Sequence, residues 1–147
     1  MFEAVRSTID DTGLDLRVGQ RINDRRDVAG LRRRIRDALS DSWVEDRVDA
    51  VTLAATELAA NGLVHGKQPV LFRLFTGPER VLITVFDSGD TMPYFDPDQP
   101  PELLAAAGRG LRLVRSAAER SGTASAPNGG KWVFAEWRRA PGDEPVP

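Results

Sequence analysis

Residues 56–66 read TELAANGLVHG, and the rest of the chain can be interpreted outward from this segment. Glu57 and Asn61 lie four residues apart, so on a helix their side chains share one face. A carboxylate can accept a proton or orient a water molecule, and an amide oxygen is a hard ligand suited to Mg²⁺. A solvated pair at the rim of a helix is the alternative interpretation, because pairs with this spacing are common. The segment therefore predicts a helix on which Glu57 and Asn61 form either a functional polar site or a solvated surface pair.

Apolar spacing predicts the helix that carries this segment and another helix before it. In the second helix the apolar residues recur at steps of three and four, as Val44, Val48, Val51, Ala55 and Leu58. Ser42 and Glu45 have the spacing of an N-terminal capping box, and Gly66 is expected to be a left-handed C-terminal cap. The first helix is predicted over residues 24–39. Its apolar face consists of Val28, Leu31, Ile35, Ala38 and Leu39.

The strands are predicted from alternation and turn residues. Residues 14–18 alternate apolar and polar side chains and predict an edge strand. Residues 70–75 and 81–86 are two β-type runs joined by a turn, which indicates a hairpin. After a loop rich in Pro, Asp and Gly (residues 87–101), a third helix is predicted from near residue 110 to residue 122. The dipeptide Asn128-Gly129 then predicts a second hairpin.

This order of elements predicts the fold class. Short connections between consecutive strands favour an α/β two-layer sandwich, in which a mixed, mostly antiparallel sheet carries helices on one face. We expect one domain over residues 1–138, followed by a disordered tail over residues 139–147 that contains three prolines.

Composition excludes several classes of function. The chain has 147 residues, a net charge of −2 and a pI near 5.5, which argues against direct nucleic-acid binding. No apolar run is long enough to span a bilayer, and the N-terminus MFEAVRSTID lacks the apolar region of a signal peptide. The absence of cysteine excludes disulfides, zinc-thiolate sites and thiol catalysis. We therefore expect a cytoplasmic protein that binds neither nucleic acid nor membrane.

A second candidate motif, Asp87-Ser-Gly89, follows the apolar strand at 81–86. A carboxylate at this position can accept a hydrogen bond from a ligand's amino group, and the glycine permits close backbone approach. The same residues are also good turn formers, so a plain turn is the alternative.

A third motif, Gly108-Arg109-Gly110-Leu111, precedes the third predicted helix. Unobstructed N–H groups at a helix N-terminus form a phosphate-binding site. The motif is neither a dinucleotide-binding fingerprint nor a Walker loop, because the third glycine and the Gly-Lys-Ser/Thr sequence are missing.

Taken in order, E-x-x-x-N on a helix, D-x-G after a strand, a lid-like loop and G-x-G-L before a helix resemble the GHKL ATPase superfamily, with its Bergerat-type ATP-binding fold. That superfamily includes gyrase-type topoisomerases, heat-shock chaperones, histidine kinases and mismatch-repair ATPases. Within it, the small size and the sequence ELAANGLVHG are most similar to the anti-sigma-factor serine/threonine protein kinases, which regulate bacterial partner-switching systems. The resemblance covers roughly residues 24–137.

The resemblance implies a role for each matching residue. It makes Glu57 the general base and Asn61 the Mg²⁺ ligand. Asp87 matches the aspartate that holds the adenine amino group, and Gly89 matches the glycine of the same motif. The other implied ATP contacts are Gly108, Arg109, Gly110, Leu111 and Lys131, of which Arg109 and Lys131, together with Arg112, are candidates for neutralising phosphate charge. Residues 90–107 are implied to form a lid over the nucleotide.

The resemblance also implies a function. The protein is expected to bind ATP and Mg²⁺, to phosphorylate a serine or threonine of an anti-sigma-factor antagonist, and to sequester a sigma factor. The sequence DSGDT lacks the second glycine that the family often has, and Trp132 stands where the family tends to have threonine. Two alternatives therefore stay open: an ATP-binding module without kinase activity, and an interaction domain that has lost nucleotide binding. The oligomeric state is also open, a homodimer being one alternative.

Overall fold

The computed structural model describes residues 9–89, 114 and 117–140. This part of the chain forms a sheet of five strands and two long helices. The elements in chain order are β1 (Asp15–Arg21), α1 (Arg25–Leu39), α2 (Glu45–His65), β2 (Leu71–Thr76), β3 (Arg80–Asp87), β4 (Arg120–Ser125) and β5 (Lys131–Arg138). The predicted edge strand, both long helices and both hairpins are confirmed.

The strand order in the sheet is β1-β2-β3-β5-β4, and every neighbouring pair is antiparallel. The α/β fold class is confirmed, and the sheet that we expected to be mixed is antiparallel throughout its described strands. Hairpins join β2 to β3 and β4 to β5, and a short connection between neighbouring strands requires them to run in opposite directions. Strand β5 lies between β3 and β4, so the two hairpins meet along the β3–β5 pair.

Helix α1 begins with a capping box that explains its start. The side chain of Asp24 accepts hydrogen bonds from the backbone nitrogens of Arg26 and Asp27 at 2.8 and 3.2 Å. The side chain of Asp27 accepts one from the backbone nitrogen of Asp24 at 3.2 Å. This reciprocal arrangement satisfies N–H groups that have no partner inside the helix.

The buried face of α1 agrees with the predicted apolar face. Leu31, Ile35 and Leu39 are fully buried, and Val28 and Ala38 pack against the core at its edge. Each fully buried aliphatic side chain contributes about 1.5–3 kcal/mol relative to exposure.

Both predicted caps of α2 are wrong. The N-cap residue is Val44, and no side chain caps this end. Ser42 instead belongs to the turn after α1, where its backbone nitrogen donates to the carbonyl of Leu39 at 3.0 Å. At the other end Gly66 has φ −89° and ψ −172°, an extended conformation rather than a left-handed one. Its N–H still donates to the carbonyl of Gly62 at 3.0 Å, which completes the last turn.

The predicted end of the third helix is also wrong. Strand β4 begins at Arg120, so Gly122 lies inside a strand. A Cβ atom at Gly122 would lie 3.1 Å from the ring of Phe134 on the neighbouring strand, so the glycine leaves room for that ring. The predicted start of this helix near Gly110 lies outside the described residues.

The core lies between the two helices and one face of the sheet. Alternate residues of the central strands point into it, as expected for strands with one covered face. These residues are Phe72, Leu74, Val81, Ile83, Val85, Val133, Ala135 and Trp137. Within the described ranges, no helix is long and apolar enough to cross a membrane.

Candidate functional site

The C-terminal half of α2 carries the first two candidate residues. Glu57 is partly buried, and its carboxylate makes no hydrogen bond or ion pair with any described residue. Asn61 lies one turn further on, and its amide nitrogen is buried without a hydrogen-bond partner in the described part of the chain. A buried donor without a partner is unfavourable by about 1–3 kcal/mol, so such a group marks a place where a ligand can supply the missing hydrogen-bond acceptor.

Gly62 seats this half of α2 closely on the sheet. A Cβ atom at Gly62 would lie 3.0 Å from Val70 and 3.2 Å from Val85, the latter on β3. The glycine therefore brings the helix nearer to the strand that ends in Asp87 than alanine would allow.

Asp87 is the last residue of β3, and its side chain is almost completely buried. Its Oδ1 atom accepts hydrogen bonds from the backbone nitrogen of Gly89 at 2.8 Å and from Lys131 Nζ at 2.9 Å. The backbone nitrogen of Lys67, just past α2, approaches the same oxygen at 3.4 Å. One carboxylate thus joins the ends of α2 and β3 to the start of β5.

The backbone around Asp87 is packed too closely for side chains. A Cβ atom at Gly66 would lie 2.6 Å from Asp87 Cγ, and one at Gly89 would lie 3.0 Å from Oδ1. Gly130 has φ +84°, and a Cβ atom there would lie 2.6 Å from the Asp87 carbonyl oxygen. Gly66 and Gly89 therefore allow the backbone to approach the Asp87 carboxylate, and Gly130 allows it to approach the backbone carbonyl of the same residue.

A family model for the histidine kinase-like ATPase domain matches residues 23–137, which is more than half of the chain. The chain belongs to this family. Membership indicates ATP binding and an activity of the kinase or ATPase type. A comparison with curated proteins gave no match.

The structure brings together some of the site residues that the sequence predicted for this histidine kinase-like ATPase domain. Asp87, Gly89 and Lys131 form one cluster, and the helix that carries Glu57 and Asn61 ends against it. Four further predicted contacts lie outside the described residues, as does the proposed lid at 90–107. They are Gly108, Arg109, Gly110 and Leu111.

Lys131 has a different position from the one that the sequence suggested. A lysine that contacts phosphate would have its ammonium group available to the nucleotide. Instead its ammonium group is paired with Asp87, and the two side chains are 5% and 3% exposed. The register of the β3–β5 pair accounts for this, because Asp87 and Lys131 lie directly opposite each other.

Sequence reasoning identified Gly89 but missed the other two glycines around Asp87. Gly66 was interpreted only as a helix cap, and Gly130 was not singled out. The pair Gly129-Gly130, immediately before a strand that pairs with the Asp87 strand, was the available signal for a close backbone approach.

The residues of this histidine kinase-like ATPase domain suit a magnesium–nucleotide complex. In the described part of the chain no three His, Cys, Asp or Glu side chains cluster in a way that could hold a metal. Mg²⁺ commonly uses one or two protein ligands together with substrate phosphates and water, so a single amide such as Asn61 can serve. The side-chain nitrogen of Asn61 that has no partner among the described residues is a donor, so it favours an acceptor such as a phosphate oxygen at this position and does not itself bind the metal.

Proposed function

We propose that this protein binds ATP with Mg²⁺ and transfers the γ-phosphoryl group to a serine or threonine of a separate protein, an anti-sigma-factor antagonist. We further propose that it binds a sigma factor and holds it inactive. The observation that carries the proposal is the convergence of the Glu57–Asn61 helix on the buried carboxylate of Asp87. In this proposal a general base, an amide ligand and an acceptor for an amino group belong to one site, and the contacts of Gly66 and Lys67 at the end of α2 with Asp87 support it.

Glu57 is suited to the proton transfer. The residue is partly buried and its carboxylate makes no hydrogen bond or ion pair in the described ranges, so it is available as an acceptor. In the proposed step Glu57 takes the proton of the acceptor hydroxyl, and the hydroxyl oxygen forms a bond to the γ-phosphorus. The bond from that phosphorus to the bridging oxygen breaks, and ADP leaves with the electron pair.

Asn61 is the residue that would hold Mg²⁺ through its amide oxygen. The bound metal would supply electrostatic stabilisation of the charge that develops on the phosphate oxygens. Because Asn61 lies on the same helix face as Glu57, one rigid element sets the distance between the base and the metal ligand.

A groove between α1 and α2 supports a role for a protein partner. Its volume is about 560 Å³, and it is lined by Arg25, Val28, Ala29, Arg32, Thr56, Ala60, Leu63 and Val64. Val64 is 64% exposed, and Leu53 on the same helix is 41% exposed. Isolated exposed apolar residues are ordinary, but Val64 lines an apolar groove, which favours a binding surface.

The charge at the rim of this groove indicates the chemistry of the partner. Arg25 and Arg32 lie two turns apart on α1, a separation of about 10 Å. Neither makes an ion pair or a side-chain hydrogen bond with any residue that the structure describes. We assign the groove to an amphipathic helix of a protein partner, the antagonist or the sigma factor. The apolar side chains of that helix would enter the groove, and its acidic side chains would meet the two arginines. Thr56 and Ala60 adjoin Glu57 and Asn61 in sequence, so the partner would lie beside the proposed site.

The decisive experiment compares two variants of the site. Glu57→Gln keeps the shape of the side chain and removes the base, so ATP binding should survive while transfer to the antagonist falls by on the order of 10²–10⁴. Asn61→Ala should instead weaken ATP binding chiefly when Mg²⁺ is present, because it removes a metal ligand. Calorimetry measures the binding, and transfer of radiolabelled phosphate measures the reaction.

The two phenotypes must differ for the proposal to stand. Transfer by Glu57→Gln at the wild-type rate would make Glu57 a structural residue. A wild-type protein that binds ATP and phosphorylates no antagonist would instead be a binding module without kinase activity. A wild-type protein whose thermal stability is unchanged by saturating ATP and Mg²⁺ would have lost nucleotide binding, since a ligand of the native state must raise stability.

A further inference from the structure

The ion pair between Lys131 and Asp87 lies at the centre of the site and is nearly inaccessible. Lys131 Nζ lies 2.9 Å from Asp87 Oδ1, and the two side chains are only 5% and 3% exposed. Burying two charges is unfavourable because both lose their hydration, and a buried pair is often no more stable than apolar residues of the same volume. Stability alone therefore does not explain why the chain places a lysine here.

Among the described residues, the hydrogen bonds of the pair leave one acceptor atom and one donor without a partner. All three contacts to the carboxylate, from Gly89, Lys131 and Lys67, reach Oδ1. Oδ2 accepts no hydrogen bond from the described residues. The ammonium group has three N–H donors. One is directed to Asp87 Oδ1 and one to the carbonyl oxygen of Gly89 at 3.4 Å, so a third remains without a partner in the same ranges.

An acceptor and a donor without partners among the described residues match the 6-amino edge of adenine. Adenine presents an amino group, which donates, next to ring nitrogens, which accept. Guanine has a carbonyl oxygen where adenine has the amino group, and that oxygen would face the carboxylate unfavourably. The pair can therefore select between the two bases as well as bind one of them.

We propose that Lys131 is a specificity-determining residue that reads the adenine base jointly with Asp87. Oδ2 of Asp87 accepts a hydrogen bond from the exocyclic amino group, and Nζ of Lys131 donates one to a ring nitrogen adjacent to that group. The proposal rests on the ATP binding proposed above and deepens it. It replaces the phosphate-neutralising role suggested for Lys131 by the sequence, because the ammonium group is held at the carboxylate.

The first test uses the wild-type protein with ATP and analogues that each lack one atom of the base edge. Calorimetry compares ATP, 1-deaza-ATP and 7-deaza-ATP, in which one or the other neighbouring ring nitrogen is replaced by carbon. Losing a hydrogen bond from a charged donor should weaken binding of one of these two analogues by about ten- to a hundredfold. GTP should bind more weakly than ATP by a comparable factor.

The second test identifies Lys131 as the donor. Lys131→Met keeps most of the side-chain volume and removes the ammonium group. The variant should bind ATP as weakly as the wild type binds the affected deaza analogue, and it should no longer distinguish the two ligands. Thermal unfolding of Lys131→Met without ligand checks that the variant is folded. If the variant does not fold, the comparison of analogues on the wild-type protein remains the test.

The outcomes separate this inference from the proposed function. Equal affinity of the wild type for ATP and both deaza analogues would overturn the role of Lys131 while ATP binding stands. Tighter ATP binding by Lys131→Met would also overturn it, because the lysine would then compete with the base. Failure of the wild type to bind ATP would remove both proposals together.

Discussion

A single residue, Asp87, holds three segments of the chain together, and this changes what its removal is expected to do. The sequence suggests that Asp87→Ala affects ATP binding alone. In the structure the substitution also leaves Lys131 as a buried charge without its partner. We expect the free energy of unfolding to fall by about 3–5 kcal/mol, measured by urea denaturation without nucleotide.

The double variant Asp87→Ala/Lys131→Met is the matched control for this residue. It removes both charges, so no ion remains buried without a partner. The double variant should therefore be more stable than the single one. Equal loss of stability in both would show that the pair does not contribute through its charges.

At the scale of elements, the groove between α1 and α2 can be tested by charge reversal on one helix face. Arg25→Glu/Arg32→Glu places two negative charges along the α1 rim of the groove and should lower the affinity for the antagonist or sigma-factor partner by about tenfold, with a weaker salt dependence. ATP binding should be unchanged. Arg33→Glu is the control, because Arg33 is exposed on the same helix and does not line the groove. The same loss in the control would indicate a general charge effect and not a docking surface.

The two helices also differ in what a glycine does within them. Gly30 in α1 has no atom within 4 Å of an added Cβ, so Gly30→Ala should stabilise the protein by about 0.5–1 kcal/mol through helix propensity. In α2 the Cβ of Gly62→Ala would press on Val70 and Val85, both 1% exposed. Overpacking a buried contact is unfavourable by about 1–3 kcal/mol, so this substitution should destabilise the protein. Urea denaturation decides the sign of each, and a stabilising Gly62→Ala would contradict the close seating of α2.

On the scale of the whole molecule, Arg139 connects parts that are distant in sequence. Its guanidinium group lies 4.0 Å from the centre of the Trp43 ring and donates to the carbonyls of Ser42 and Pro78, both at 2.8 Å. Its backbone nitrogen donates to the carbonyl of Glu79 at 2.6 Å. The end of β5 is thereby joined to the β2–β3 turn and to the connection between the helices.

We expect Arg139→Ala to destabilise the protein by about 1–3 kcal/mol, since it removes a cation–π contact and charged hydrogen bonds. Arg138→Ala is the neighbouring control, because Arg138 is exposed, and its effect should stay within about 0.5 kcal/mol. Thermal unfolding compares the two, and equal midpoints would mean that Arg139 contributes no more than a surface residue. Residues 141–147, most of the tail predicted from the sequence, lie outside the described ranges.

The sequence by itself determined the local elements and the residue types of the site. The apolar spacing of α1 places Leu31, Ile35 and Leu39 in the core, and the two hairpins appear within a few residues of their predicted positions. Periodicity and turn chemistry carry this information because both depend on neighbours along the chain. The motif residues Glu57, Asn61 and Asp87 could be placed on α2 and at the end of β3 for the same reason, whereas their roles were implied only by the family resemblance.

Only the tertiary structure decided how these elements meet. The start of α2 could not be predicted, because Ser42 and Trp43 are bound in the turn after α1 and Arg139 covers that turn from the far end of the chain. The pairing of Lys131 with Asp87 joins residues that are 44 positions apart and follows from the insertion of β5 beside β3. No local pattern encodes that strand order. It arises when two hairpins that are distant in sequence pair into one sheet and bury one face of that sheet against the same two helices.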